Sequence, residues 1–291
     1  MRGQGRGSSR GIAALLAASV CYGSAAILIR LAKGVHPVAL AFYRLALSSV
    51  IVLAGAAALG TLRKPARWEA KALASSGVAL GLHFIAFVAS VKMTSVANAT
   101  FLVNTSPVFV ALAAPLALGE KTSRVEALCV TLATAGIALA SLGGLTRASA
   151  GDALAVAAAV LLAAYTLLGR KLRAEMPTTC YISYVYTSAS LVAMAACLAI
   201  GVEVAKLYPG EVVAAIVALA VVPTVFGHGL YNYALGSVKA VVANTVPILE
   251  PVVASTLALL LFSEKPAPQQ LVGYAMIAVS VAVMAARRQL S

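Results

Sequence analysis

Two charged side chains lie deep within long apolar stretches of this 291-residue sequence. Arg44 follows Pro37 by seven residues, which places it about 10 Å along a helix that starts at that proline. Glu250 lies about eleven residues into another apolar stretch, close to the middle. A charge inside a bilayer costs about 2.5–3.5 kcal/mol on insertion scales, so both side chains require partners or a water-filled cavity.

These two side chains suggest specific chemistry, and each also has a structural alternative. The planar guanidinium of Arg44 suits an anion or a carboxylate, and the carboxyl group of Glu250 suits a proton or a cationic group of a substrate. Alternatively, Arg44 is a buried clamp that binds backbone carbonyls or Glu250. Glu250 would then be a structural carboxylate that is bonded to a neighbouring helix.

Two histidines stand on polar stripes at helical spacing. His83 shares a stripe with Phe87, and His228 shares one with Tyr231, which predicts faces turned towards a cavity or a neighbouring helix. The alternative for each is a hydrogen-bonded packing residue. Further candidates for a substrate site are polar or aromatic residues of other apolar stretches: Tyr22, Asn98, Phe101, Thr105, Tyr165 and Asn244.

Covalent and metal chemistry are not predicted. The single aspartate, Asp152, stands at the edge of an apolar stretch, so no Ser-His-Asp triad can be drawn within one. The sequence contains neither His-Glu-x-x-His nor a Walker-type glycine loop, and its four cysteines lack Cys-x-x-Cys spacing. We therefore expect no metal, no cofactor and no enzyme activity.

The composition predicts the elements that position these residues. Hydrophobic residues make up 62% of the chain and charged residues 11%, and the mean hydropathy is +0.96, which excludes an ordinary soluble domain. Ten stretches of the length that a bilayer requires can be drawn. They cover residues 12–32, 37–59, 71–91, 95–117, 124–144, 151–172, 178–201, 211–235, 238–262 and 269–286. The predicted fold is an all-α membrane protein with ten transmembrane helices.

The cations behind the net charge of +13 are divided unequally between the two sides of the membrane. With ten spans, the termini and the even-to-odd connections share one side, which carries fifteen of the cations against six on the other. The positive-inside rule then places both termini in the cytoplasm, and the charge indicates topology and not nucleic-acid binding. We expect a multi-pass membrane protein.

A repeat divides the chain in two. The segment from Pro107 to Glu120-Lys121 recurs as Pro251 to Glu264-Lys265, at an offset of 144 residues. Because each half holds five spans, an odd number, the second half must be inverted relative to the first. The predicted units are residues 1–147 and 148–291. Glu250 breaks the repeat, since its counterpart in the first half is Ser106.

Several short motifs resemble the drug/metabolite transporter superfamily of the EamA type. They are the run Pro37 to Arg44 in span 2, Tyr233 to Leu235 at the end of span 8, Leu249 to Val252 in span 9, and the two Glu-Lys closures. The second closure has Ser263 where the family pattern and the first copy have glycine.

The resemblance implies secondary or facilitated transport of small organic metabolites by alternating access. Its substrate classes include amino acids, nucleotide-related metabolites, amphiphilic drugs and sugar phosphates, mostly moved outwards, and it implies a location in the plasma (cell inner) membrane. We expect two rocking halves, with a site between spans 1, 3, 4, 6, 8 and 9 and coupling to protons through Glu250. The protein would act as a monomer or weak dimer. The alternatives are an uncoupled channel or exchanger and, from another class, an intramembrane lipid-modifying enzyme.

Overall fold

The architecture comes from a computed structural model that describes residues 2–142, 147–262 and 265–287. Only the backbone is described for residues 2–8, 257–258, 260–262 and 287. These ranges form helices and connections and contain no strand. The α-helices are Arg2–Tyr22, Ala25–Leu31, Pro37–Ala58, Arg67–Met93, Val96–Val103, Ser106–Leu118, Arg124–Ser141, Ala150–Arg173, Thr178–Ala199, Gly210–Leu219, Gly229–Leu235, Ala240–Thr245, Glu250–Phe262 and Pro268–Arg287.

Ten apolar spans are assembled from these helices, which confirms the predicted fold. Nine segments of the described chain are long and apolar enough to cross a membrane. The remaining span, span 9, is the interrupted helical segment that starts at Ala240. Span 5 ends at Ser141, and residues 143–146, which the prediction included in part, lie outside the described residues, as does Glu264. Large apolar side chains such as Leu116 (93% exposed) point outwards, where lipid would cover them.

Four spans are interrupted near their middles. Span 1 breaks at residues 23–24 and span 4 at residues 104–105, where the next helix restarts with Pro107 in its first turn. Span 8 contains a π-helix over Ala220–His228, and span 9 contains a 3-10 turn over Val246–Leu249. Proline lacks a backbone N–H, so it breaks the helical hydrogen-bond ladder and frees carbonyls in the membrane interior. Irregular backbone at such depth is tolerated where it is buried or lines a cavity.

The two repeats interlock instead of standing side by side. The most extensive helix contacts join spans of different repeats: spans 3 and 6, 2 and 7, and 5 and 10. Two equivalent glycines show how each repeat packs against the other. Gly11 of span 1 packs against the end of span 8 around Val238, and Gly151 of span 6 packs against the end of span 3 around Thr94. The offset between Thr94 and Val238 is the 144 residues of the repeat.

Contacts between connections separate the two ends of the bundle. The connections after spans 4 and 8 meet through Glu126 and Lys239, at the end where span 1 begins and span 10 ends, which we name the terminal side. The connections after spans 3 and 5 meet through Thr94 and Asp152 at the other end, the opposite side. This up-and-down arrangement is what two inverted five-helix repeats require.

Spans 5 and 10 cross at two glycines, which permits a direct test of the packing. A Cβ atom on Gly136 would lie 2.7 Å from the carbonyl oxygen of Gly273. We expect Gly136→Leu to destabilise the protein by about 1–3 kcal/mol, the usual cost of overpacking, and to lower the thermal unfolding midpoint in detergent. Gly55→Leu is the matched control, because no atom lies within 4 Å of a Cβ at that exposed helical position. Equal midpoints for the two variants would contradict this interface.

Candidate functional site

A small cavity lies where the four interrupted spans converge. It has a volume of about 60 Å³, enough for a few water molecules. Its walls come from spans 1, 3, 4, 6, 8 and 9, the six predicted, and additionally from span 2. The lining residues are Tyr22, Ala25, Arg44, His83, Phe84, Phe87, Val103, Asn104, Leu162, His228, Tyr231, Asn244, Pro247 and Glu250.

Arg44 is held in one orientation but retains free hydrogen-bonding capacity. The side chain is 1% exposed, its Nε donates to Thr224 Oγ1 at 2.5 Å, and its guanidinium carbon lies 3.9 Å from the ring centre of Phe84. Thr224 Oγ1 in turn donates to the carbonyl of Leu219 at 2.9 Å, so it can only accept from Arg44. Nη1 of Arg44 is buried and has no hydrogen-bond partner among the described residues. A buried guanidinium donor without a partner is unfavourable, and an anionic ligand would satisfy it.

The partner of Arg44 differs from both structural alternatives for this residue. The sequence suggested backbone carbonyls or Glu250, whereas the observed acceptor is the hydroxyl of Thr224 in the π-helix of span 8. The ion pairs of the described residues do not include one between Arg44 and Glu250. The two charges therefore face the same cavity without neutralising each other by direct contact.

Glu250 stands between two cavities. Besides the small cavity, it lines a second one of about 320 Å³ that extends to Lys265 and Gln270 on the opposite side. We name these the central cavity and the outer cavity. A carboxyl group that contacts both can exchange a proton with one and act electrostatically on the contents of the other.

The two histidines face the central cavity in different environments. His83 Nδ1 lies 2.8 Å from the carbonyl oxygen of Ala158, and because a carbonyl only accepts, this nitrogen carries a proton. His228 makes edge-on contacts with Tyr22 and Phe84, with ring centres 4.9 and 5.0 Å apart. Its Nδ1 is buried without a partner among the residues that the structure describes. The site thus combines polar groups that lack partners with aromatic walls.

A chain of neutral hydrogen bonds closes the central cavity towards the terminal side. Ser106 Oγ donates to Asn244 Oδ1 at 2.7 Å, and Asn244 Nδ2 donates to Thr166 Oγ1 at 3.0 Å. Thr166 Oγ1 also lies 2.6 Å from the hydroxyl of Tyr231. These four side chains, which we name the polar layer, are buried and come from both repeats.

Most of the residues predicted for the site line the central cavity. They are Tyr22, Arg44, His83, Phe87, His228, Tyr231, Asn244 and Glu250. Their roles towards a substrate stay predictions.

Four predicted residues lie elsewhere. Asn98 is buried towards the opposite side and donates to Asp152 Oδ1 at 2.8 Å. Thr105 Oγ1 bonds to the carbonyl of Leu102, and Phe101 packs against the core. Tyr165 lies behind His228, and its hydroxyl accepts from Asn232. A helical stripe indicates which face is polar, but not whether that face meets a cavity or another helix.

Phe84 and Asn104 line the central cavity but were not among the residues predicted for the site. Phe84 directly follows His83, so a helical wheel turns it about 100° away from that histidine. Phe84 nevertheless lines the cavity, where its ring stacks against the guanidinium of Arg44. A buried arginine requires an aromatic or polar platform, but the sequence does not indicate which aromatic residue of another span supplies it.

No group of three His, Cys, Asp or Glu side chains in the described ranges is arranged to hold a metal ion. The four cysteines lie within the described helices and form no disulfide there.

Comparison with protein families provides the deciding observation. The profile of the EamA-like transporter family matches this chain twice, over residues 9–142 and 149–286. The chain belongs to the EamA-like transporter family. It is therefore a multi-pass membrane transporter of the drug/metabolite transporter superfamily. The two matches follow the two repeats.

Known relatives of this EamA-like transporter support the assignment. A protein of Archaeoglobus fulgidus, described as an uncharacterized transporter, is 33% identical over 242 residues, which cover 80% of this chain and 82% of the relative. A solved crystal structure superimposes with a TM-score of 0.79 over 97% of this chain and 99% of its own, at 20% identity. At that identity the second likeness shows the fold alone.

Proposed function

We propose that this EamA-like transporter exports small organic metabolites across the plasma membrane by alternating access. The observation that carries the proposal is the central cavity, which is lined by two unpaired opposite charges and is located at the breaks of four spans. Discontinuous helices around a site near the mid-membrane are a recurrent feature of secondary transporters. The terminal side would face the cytoplasm, and the protein would work as a monomer or weak dimer.

The wall chemistry favours amino acids or related amphiphiles as substrates. Arg44 presents a donor without a partner to a carboxylate, Glu250 presents an acceptor to an ammonium group, and Phe84 and Phe87 offer apolar surface. The volume of about 60 Å³ lies below the usual range of small-molecule sites, so the site must expand to admit such a ligand. The outer cavity adjoins it through Glu250 and is the route by which we expect this expansion.

Energy coupling is assigned to protons at Glu250. Loading of the site and protonation of the carboxyl group would alternate, because both occur at the boundary of the two cavities. Uncoupled exchange is the alternative, and it would use the same site without proton movement.

Ligand binding and counterflow test this function. We expect one of three ligand classes, namely amino acids, nucleobases or quaternary amines, to raise the unfolding midpoint of the purified protein. Binding stabilises by about 2.7 kcal/mol when the ligand is at a hundred times its Kd. The stabilising ligand should then show saturable counterflow in proteoliposomes. Linear, non-saturable flux would indicate a pore, and a ligand screen without stabilisation or flux would contradict the assigned site.

A histidine pair supplies the matched variants for the same assay. His83→Ala removes a cavity wall group and should raise the half-saturating substrate concentration severalfold, as expected if the substrate loses one hydrogen bond to the second ring nitrogen of His83. His36→Ala should leave it unchanged, because exposed His36 only caps the start of span 2 through the N–H of Val38.

A further inference from the structure

We propose that an ionic latch on the terminal side, formed by Glu120, Glu126, Arg170 and Lys239, holds that side of the transporter closed. The inference rests on the proposed alternating access and assigns the residues that determine which side is open. It is carried by four observations: the two arms of the latch, the layer behind it, the outer cavity, and the chemistry of the equivalent positions in the other repeat.

The first arm joins span 4 to spans 6 and 9. Glu120 Oε1 accepts from Arg170 Nε at 2.7 Å, and its Oε2 accepts from the backbone N–H of Ala240 at 2.8 Å. Arg170 Nη1 also donates to the carbonyl of Leu235 at 2.9 Å, which ties in the end of span 8. The side chains are 22% and 17% exposed, so the pair is shielded from water more than a surface ion pair. The carboxylate of Glu120 thus binds two helix ends of the second repeat directly, and a third through Arg170.

The second arm joins the start of span 5 to the start of span 9. Lys239 Nζ lies 3.0 and 3.1 Å from the two carboxylate oxygens of Glu126, and it also donates to the carbonyl of Lys121 at 3.2 Å. Both arms therefore cross from one repeat to the other at the same end of the bundle. Separation of spans 4 and 5 from spans 6 and 9 at this end requires that both ion pairs break.

A second barrier, the polar layer, lies behind the latch. The polar layer of Ser106, Asn244, Thr166 and Tyr231 lies between the latch and the central cavity, which Asn244 and Tyr231 line. On the opposite side, the outer cavity of about 320 Å³ reaches Glu250, which also lines the central cavity. The barrier is therefore thick towards the terminal side and thin towards the opposite side, as in a transporter closed on its terminal side.

The equivalent positions of the two repeats explain why the closed side is the terminal one. The bond from Ser123 N to Glu126 at 2.7 Å recurs as the bond from Ala267 N to Gln270 at 2.8 Å, again at an offset of 144 residues. Gln270 is thus the counterpart of Glu126, and at the same offset Ser95 is the counterpart of Lys239. The charged residues Glu126 and Lys239 on the terminal side thus correspond to the neutral residues Gln270 and Ser95 on the opposite side. Among the described residues, the second arm has no ionic counterpart on that side.

The expected size of the effect follows from the burial of the arms. Partly shielded ion pairs of about 0.5–0.9 kcal/mol each shift an equilibrium by a factor of about 2.2 to 4.5, so loss of both arms should shift the population by about fivefold to twentyfold towards the form that is open on the terminal side. Substrate affinity for the central cavity should change little, because no latch residue lines it.

Cysteine accessibility tests the latch without reference to transport. In a background with the four native cysteines replaced, Val103→Cys places a thiol in the central cavity wall. A membrane-impermeant maleimide is added to each side of reconstituted vesicles in turn, and a cysteine at exposed Lys171 identifies the terminal side. We expect Glu120→Gln combined with Lys239→Gln to accelerate labelling from the terminal side at least about fivefold.

Two controls keep the result interpretable. Glu69→Gln removes the ion pair with Arg63, whose Nη1 lies 2.8 Å from Glu69 Oε2 on the same side but within one repeat, and it should leave labelling unchanged. The second control exchanges the charges of the second arm. Glu126→Lys combined with Lys239→Glu should label from the terminal side more slowly than the Glu120→Gln and Lys239→Gln double variant if charge pairing itself is responsible. Unchanged terminal-side labelling in a folded double variant, or equal acceleration by Glu69→Gln, would overturn the latch. If labelling accelerates as expected but the protein shows no counterflow, the latch stands and the result counts against the proposed function instead.

Discussion

Glu250→Gln should reduce substrate accumulation driven by a pH gradient by at least about tenfold and leave counterflow at equal pH largely intact. Glutamine has nearly the same shape as the glutamic acid but cannot release a proton, so a step that depends on proton exchange between the two cavities is lost. Substrate binding should be largely retained, because the amide oxygen of glutamine still accepts from an ammonium group and Glu250 makes no ion pair within the described part of the chain. The two readouts therefore separate coupling from binding.

Labelled substrate in proteoliposomes measures accumulation and counterflow in one preparation, and an internal pH indicator follows the accompanying proton movement. The matched control is Glu211→Gln, which neutralises an exposed carboxylate at the start of span 8 on the opposite side. Gradient-driven accumulation by Glu250→Gln at the level of the Glu211→Gln control would contradict proton coupling at this residue. Loss of both accumulation and counterflow would assign Glu250 to substrate binding instead.

The location of Glu250 was predictable from sequence, but its connection to two cavities was not. It is the only one of nine acidic residues near the middle of a predicted span, and insertion costs make such a residue conspicuous. The outer cavity, by contrast, forms between Gly23, Thr100 and Tyr274 of three other spans. Their proximity depends on how the repeats interlock, which spacing along the chain does not encode.

The fold was more accessible than the site because hydropathy is a local property. Span 2 was predicted over residues 37–59 and is helical over Pro37–Ala58, since the length of an apolar helix is dictated by the bilayer. The breaks were only partly predictable. Pro107 and Pro247 lie at the interruptions of spans 4 and 9, so the sequence indicates these two breaks. The break after Tyr22 in span 1 has no proline. There the chain bends beside Gly23, where a Cβ would lie 2.9 Å from the side chain of Val253.

The repeat was the clearest long-range signal, and the structure refines its meaning. From the sequence, the Glu-Lys closures were interpreted as markers of the end of a span. In the structure the carboxylate of Glu120 binds Arg170 and the N–H of Ala240, both in the second repeat. A repeat predicts which residues are equivalent. Which residues meet follows only from the packing of one copy against the other.

Arg44→Gln is expected to have the second large effect, on substrate affinity. A hydrogen bond to a charged group is worth about 1.5–3 kcal/mol, so the half-saturating concentration of a carboxylate substrate should rise about 10-fold to 150-fold. Arg44→Lys should not restore it. A lysine has no planar fork that could reach Thr224 Oγ1, stack on Phe84 and still present a donor to the cavity.

Thr224→Val separates the two roles of the guanidinium. Valine removes the acceptor of Arg44 Nε without changing charge, so a positioning role predicts a smaller rise in half-saturation at unchanged maximal rate. Arg30→Gln is the charge-matched control, because exposed Arg30 lies on the opposite side, where its one hydrogen bond to a described residue goes to the Thr94 carbonyl at 3.0 Å. A purely structural clamp makes a different prediction: Arg44→Gln would lower the unfolding midpoint and the maximal rate, and the half-saturating concentration would stay constant. Measuring all three parameters for the same four variants therefore decides whether the free Nη1 of Arg44 is a ligand for substrate.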